Sequence, residues 1–187
     1  MAYLSMDQLK TMGFKSLGLD VKISDKASIY NVDQIEIGDY SRIDDFCVIS
    51  GRISIGKFVY IAPFCLLAGG EKGIIIDDFS SFSYGCKIFS QSSDYSGMFL
   101  VSPTIPMQFK LEAKALVMVN RHVNIGANSV VFPGISIAEG CSVGAMTLVN
   151  KNTKPWGVYV GIPAKRLKDR KKNLLTLEKI FLEQLNS

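Results

Sequence analysis

The chain of 187 residues has a single histidine, His122. A zinc centre of the hydrolase or carbonic-anhydrase kind takes about three, so one chain cannot build it, and no metal is expected. Long apolar runs are missing as well. Hydrophobic residues reach 48%, yet no uninterrupted stretch approaches the roughly 20 residues of a membrane helix, so no membrane insertion is expected. The opening "MAYLSMDQLK" lacks the basic end and apolar block of a secretory leader, from which a cytoplasmic location is expected. The net charge is only +4, but Lys151, Lys154, Lys165, Arg166, Lys168, Arg170, Lys171 and Lys172 crowd together with Asp169 alone opposing them. That cluster lacks the interleaved aromatics of a base-stacking platform, which argues against nucleic acid; plain solvation and contact with small-molecule phosphates both remain open. There is no Gly-rich phosphate loop and no room for a second domain to carry one, which excludes a nucleotidyltransferase, and threonine columns of the ice-binding kind are absent. A single domain over 1–187 follows.

What the sequence does have is a period of six. Ile37, Ile43, Ile49, Ile55, Ile61 and Leu67 stand six apart; after "AGGEKG" the series resumes at Ile76, Phe82 and Ile88, and after a longer gap at Val119, Ile125, Val131, Ile137, Val143 and Val149. Leader units surround Ile23 and Ile29. Two residues before each aliphatic runs a second column, from Ile35, Ser41 and Cys47 to Cys141 and Thr147, nearly all small or β-branched. Neither a helix of period 3.6 nor an alternating strand gives this spacing. Short strands joined by tight corners do, three units to a triangular turn, with coils stacked about 4.8 Å apart. The class expected is all-β, a triangular prism of hexapeptide coils over 21–160, interrupted by a loop excursion at about 89–118. Cys47, Cys65, Cys86 and Cys141 all fall in the second column, which reads as buried packing rather than nucleophile or disulfide chemistry.

The ends carry helical patterns. Ser5 and Gln8 have capping-box spacing ahead of Leu9 and Met12, so residues 1–20 should form a helical cap. Leu174, Leu177, Phe181 and Leu185 form one apolar stripe, giving a packing helix after a basic segment within 161–187. Tyr40, Phe46, Phe58, Phe64 and Phe79 each stand three residues after a core aliphatic, a corner position whose expected use is an edge contact. His122 shares that column, which puts it on the surface or in a cleft between subunits.

The six-residue pattern, "VNIGANSVVFPGISIAEGCSVGAMTLVNK" and "GIPAKRL" resemble the hexapeptide-repeat acyltransferases, which are left-handed parallel β-helices. "RIDDFCVISG", "SSDYSG", "SPTIP" and "WGVYVGIPAK" resemble the branch that modifies surface polysaccharides and nucleotide sugars. The resemblance, over roughly residues 20–170, implies a homotrimer with sites between neighbours and transfer of an acyl group, expected to be acetyl, from coenzyme A to a sugar hydroxyl or amine. It also implies pairing of the pantetheine amides with backbone near Ala127, Ser129, Gly144, Ala145 and Thr147, and the adenine end near Gly161, Ile162, Pro163 and Ala164. It gives the basic cluster a use, with Lys151, Lys165 and Arg166 on the phosphates.

Acyl transfer to a hydroxyl needs a base, and imidazole suits it. A lone corner histidine is more often simply solvated, but His122 lies where the excursion rejoins the coils, and loops thrown out from rigid scaffolds are where acceptor sites are built. The resemblance also places a histidine before this "IG" in the relevant branch, and with the loop position it makes His122 the expected general base in a ternary complex. Asp94 in "SSDYSG" is its expected orienting or acceptor-binding carboxylate, although turn chemistry would explain Asp94 equally. Many relatives of maltose or galactoside type keep a histidine in that segment, where this chain has Ser90 to Asp94. Ser93, Tyr95, Asp44 and Asp45 complete the expected acceptor set, with corner-turn roles the alternative for the two aspartates; Asp77 and Asp78 are read as turn residues. The rival reading is a non-catalytic solenoid acting as an assembly module.

Overall fold

All fifteen residues of the aliphatic column and all fifteen of the small column are buried, so the period of six reports two inward rows of one continuous core. The computed structural model describes residues 2–185; Met1, Asn186 and Ser187 lie outside them. Successive units supply three faces in turn. Ile35–Ile37 pairs in parallel with Ser16–Leu17 and with residues 53–55 on the first face; Arg42–Ile43 pairs with Lys22–Ile23 and Tyr60–Ile61 on the second; residues 48–49 pair with Ser28–Ile29 and 66–67 on the third. The coils begin at Ser16 rather than residue 21, because Ser16–Leu17 already joins the parallel ladder.

The small column has a second task beyond packing. Ser41 Oγ donates to the Gly56 carbonyl (2.8 Å), Cys47 Sγ to that of Ala62 (3.1 Å) and Ser129 Oγ to that of Gly144 (2.9 Å). Each thus satisfies a corner carbonyl of the following coil, which a buried backbone group requires. All four cysteines are free thiols and buried, and the stacked Cys65 thiol together with burial pushes Cys47 well above an ordinary thiol. A thiolate nucleophile is disfavoured at Cys47.

Corners place bulky residues in left-handed backbone: Tyr40, Phe46, Phe58, Phe64, Phe79 and His122 have φ of 54–65°, where a side chain ordinarily costs energy. Stacking offsets it. Along the corner between first and second faces, Tyr40, Phe58, Phe79 and His122 form one ladder with ring centroids 5.1, 4.8 and 5.5 Å apart, each contact contributing about 0.5–1.5 kcal/mol.

The ends are closed by different devices. α1 (Met6–Met12) has the full capping box, Ser5 N–H donating to Gln8 Oε1 at 2.8 Å and Gln8 N–H to Ser5 Oγ at 3.3 Å, and it buries Leu9. At the other end the expected plain basic segment is instead a strand: Lys165–Asp169 turns back antiparallel on Gly157–Val160, covering a terminal edge that would otherwise stay unpaired. α2 (Leu174–Leu185) follows. The excursion leaves after Lys87–Phe89 and returns at Val117–Val119; its root is an antiparallel pair, Gln91–Ser93 on Glu112–Lys114.

Candidate functional site

α2 lies over the aromatic ladder. Phe181 meets Phe58 and Phe79 edge-on, at 5.2 and 6.3 Å, and Glu178 reaches the corner beneath. Its carboxylate holds His122 Nε2 at 2.8 Å and also pairs with Arg121, which binds Asp78 at 2.7 Å and lies 4.8 Å from the centre of the Phe79 ring. Arg170 donates to the carbonyls of His122 (2.6 Å), Gly140 (3.1 Å) and Cys141 (3.3 Å). A cavity of about 400 Å³ remains between helix and coils, lined by His122, Ser81, Asn124, Arg170 and Glu178 among others. His122 is outside the prism core, as the corner phase requires, but it is not surface-facing: α2 leaves it 5% exposed. Glu178, Arg121 and Arg170 are the partners that sequence reasoning missed. The available signal was an acid set between Leu177 and Phe181 on an otherwise apolar stripe.

Asp94 is elsewhere. The excursion departs from the corner between third and first faces, whereas His122 sits between first and second, so the two expected catalytic residues stand on different edges of the prism. Asp94 accepts from the Ser96 hydroxyl (2.8 Å) and from the backbone N–H groups of Ser96 (3.1 Å), Gly97 (3.0 Å) and Phe99 (3.4 Å). The Ser96 hydroxyl and these N–H groups hold its carboxyl below the usual range. Asp94 does share a cavity of about 380 Å³ with Ser93, Tyr95 and Glu112, so three expected acceptor-side residues come together.

Asp44 and Asp45 are drawn into the early coils. Asp44 is 1% exposed; its oxygens take Arg42 Nε (2.7 Å) and Nη2 (2.9 Å), the Tyr60 hydroxyl (2.8 Å) and the Tyr3 hydroxyl (3.3 Å). Asp45 accepts from Ser24 Oγ and lies 3.8 Å from Lys26 Nζ. These contacts occupy the carboxylates within the protein, and they are made to side chains rather than to the turn backbone groups of the corner-turn alternative. Burial, then the hydrogen bond to Asp44, pushes the Tyr60 phenol up to about 12. The folded protein therefore keeps a proton that the unfolded chain, titrating near 10, gives up. This stabilisation is complete below pH 10 and is lost as pH rises toward 12. Urea midpoints should fall over that window, and Tyr60→Phe should fall less steeply; identical slopes would refute the assignment.

Of the expected donor residues, Ser129 and Thr147 point inward. Both are buried, the Ser129 hydroxyl is committed to Gly144, and the Thr147 N–H points to Ser129 Oγ at 3.3 Å; they belong to the small column and present no surface to a pantetheine arm. Ala145, Lys151, Gly161, Pro163 and Lys165 are exposed, and Ala127, Gly144 and Ala164 half-buried. Arg166 is turned onto the protein, donating to the Lys154 carbonyl (3.2 Å), the Trp156 carbonyl (3.3 Å) and the Asp169 carboxylate (2.8 Å). Close stacking of the coils, not ligand approach, explains Gly126: a Cβ there would sit 2.5 Å from the Ala145 nitrogen. No group of residues able to hold a metal ion occurs among the described residues.

No protein-family model matches the chain. The dTDP-4-amino-4,6-dideoxy-D-glucose acyltransferase of Escherichia coli is 42% identical over 184 residues, 97% of this chain and 95% of that protein. The crystal structure of AntD, an N-acyltransferase from Bacillus cereus, in complex with dTDP and 3-hydroxybutyryl-CoA, superposes with a TM-score of 0.97 at 44% identity, covering 99% of this chain and 98% of that one. A hexapeptide-repeat acetyltransferase from Vibrio cholerae O1 biovar eltor, solved with acetyl-coenzyme A, has a TM-score of 0.60 over 90% of this chain and 80% of that one, and at 20% identity it shares the fold alone. With the six-residue core, the corner ladder and this near full-length identity together, the chain belongs to the hexapeptide-repeat acyltransferases, left-handed parallel β-helices, in the branch that contains dTDP-4-amino-4,6-dideoxy-D-glucose acyltransferase.

Proposed function

We propose that the protein transfers an acyl group from an acyl-coenzyme A directly to the amino group of a dTDP-4-amino-4,6-dideoxy sugar, forming an amide. The observation that carries this is identity above 40% across almost the whole of both chains with an enzyme named for that acceptor and with an N-acyltransferase solved with dTDP and an acyl-CoA. An assembly module alone would not need the excursion with its cavity at Ser93, Asp94 and Tyr95.

In the proposed ternary complex the neutral amine attacks the thioester carbonyl. A C–N bond forms, the tetrahedral oxyanion collapses, and the C–S bond breaks. An amine is already nucleophilic and becomes acidic once acylated, so the departing thiolate takes its proton and little is asked of a base. This suits the geometry of both expected catalytic residues. His122 is buried with Nε2 committed to Glu178, and it acts as a positioning residue for the corner and α2. Asp94, kept ionised by the donors around it, serves to orient the amine through its N–H. Lys151 and Lys165 face the donor phosphates, and Ala127, Gly144, Ala145, Gly161, Pro163 and Ala164 the rest of coenzyme A. A homotrimer completes the site; the stacked pair Phe46 and Phe64, 50% and 61% exposed, is the apolar surface that association would cover. The role is in surface-polysaccharide assembly in the cytoplasm; among the described residues no helix is long and apolar enough to cross a membrane.

Incubation with acetyl-CoA or 3-hydroxybutyryl-CoA and dTDP-4-amino-4,6-dideoxyglucose should release one thiol per amide formed. dTDP-glucose, offering hydroxyls only, should release almost none. Equal rates on the two acceptors would refute N-transfer, and no release on either would return the assembly module.

A further inference from the structure

The segment "AGGEKG" plays no part in the reaction as described. Nine positions separate Leu67 from Ile76 where the period asks for six, and the surplus lies at the corner from which the excursion also departs. There the chain swings out through Gly70 (φ 49°) and Gly73 (φ 96°) and sets Lys72 beside Arg52 of the preceding coil. The stem of Arg52 lies against Gly73, whose added Cβ would stand 3.4 Å from Arg52 Cγ and Cδ. Between these groups and the first face opens a cavity of about 350 Å³, whose lining includes Lys15, Gln34, Arg52, Lys72, Ile75 and Leu116.

The charges there do not cancel. Lys15 is paired with Glu36, and Glu71 is held by Lys114 at 3.2 Å. The Arg52 guanidinium and the Lys72 ammonium make no ion pair or hydrogen bond among the described residues. Two cations thus face one concavity with Glu71, already held by Lys114, as a nearby carboxylate in no direct contact with either, and one of them carries the planar fork that takes two oxygens at once. The opposite wall is apolar: Ile75 and Leu116 are 41% and 39% exposed. An adjoining cavity of about 380 Å³ shares Gln34 and adds Asn31 and Gln91, side-chain amides that suit hydroxyl-bearing rings.

We infer that this corner is a pyrophosphate site for a nucleotide, with Arg52 and Lys72 on the phosphates and Ile75 and Leu116 against its base. Both substrates of the proposed reaction carry a pyrophosphate. The position favours the acceptor nucleotide, because the corner lies at the root of the excursion that holds Ser93, Asp94 and Tyr95, far along the chain from the donor residues of the late coils. The inference rests on the functional reading above.

The test is calorimetric titration of the intact protein and of the double variant Arg52→Ala/Lys72→Ala with dTDP and, separately, with coenzyme A. Both side chains are exposed, so the variant should keep its circular dichroism and melting temperature. The expected result is dTDP affinity reduced about tenfold or more, a difference of about 1.4 kcal/mol, with coenzyme A affinity unchanged. Arg52→Lys should recover part of the loss. Unchanged dTDP affinity overturns the inference while leaving the functional reading intact, and loss of coenzyme A affinity instead overturns the assignment to the acceptor. A wild-type protein that binds neither nucleotide removes the functional reading and the inference with it.

Discussion

Phe82→Ala is expected to lower the stability of the protein by about 3–5 kcal/mol, read from the urea midpoint at fixed protein concentration. Phe82 is the bulkiest member of an aliphatic column and is 0% exposed. It lies in register between Ile61 of the coil before and Ile125 of the coil after, so the ring fills the core where its neighbours above and below are isoleucines. Removing the ring leaves a void walled by backbone ladders on three faces. Those ladders cannot collapse inward without breaking the parallel register, so the cavity term is retained almost in full. Phe82→Leu, which keeps most of the volume, should cost about 1 kcal/mol. Near-equal losses for the two variants would mean that the site relaxes and that the solenoid is softer than its ladders imply.

The same column explains why so much of the fold was legible in the residues. A solenoid core is built from nearest-neighbour repeats, so inward positions recur locally and the period alone locates them. The capping box at Ser5 and Gln8 is equally local. What could not be read depends on long-range docking. His122 was placed at its corner by phase, yet its burial is decided by Glu178, 56 residues later, on a helix whose resting place the period does not encode. The return of Lys165–Asp169 onto Gly157–Val160 is invisible to a six-residue count because it runs against the coil direction. Ser129 and Thr147 show the opposite case: the repeat phase put both in the inward column, and their side chains do face inward, so any part in donor binding rests on backbone near them. At a repeat position, phase is the stronger guide to which way a side chain faces.

Asp44→Ala separates these two kinds of inference for the acceptor site. The "RIDDFC" motif suggested a sugar-binding aspartate, but the carboxylate is the centre of a buried cluster, accepting from Arg42, Tyr60 and Tyr3. Deleting it removes the acceptor of the Tyr60 hydroxyl and of Arg42 Nε and Nη2. Truncating one partner of a fully buried ion pair costs about 3–5 kcal/mol; because the Arg42 side chain is 43% exposed and can rehydrate, a smaller loss than that, about 2–3 kcal/mol, is expected. Asp44→Asn keeps the shape and one acceptor oxygen, and should lose about half as much. The Michaelis constant for the amino sugar should stay unchanged in both variants at a temperature where they remain folded. An acceptor-binding role would produce the reverse pattern, a raised Michaelis constant with little loss of stability. That pattern would return Asp44 to the site and would require the Tyr3, Arg42 and Tyr60 contacts to open when the sugar binds.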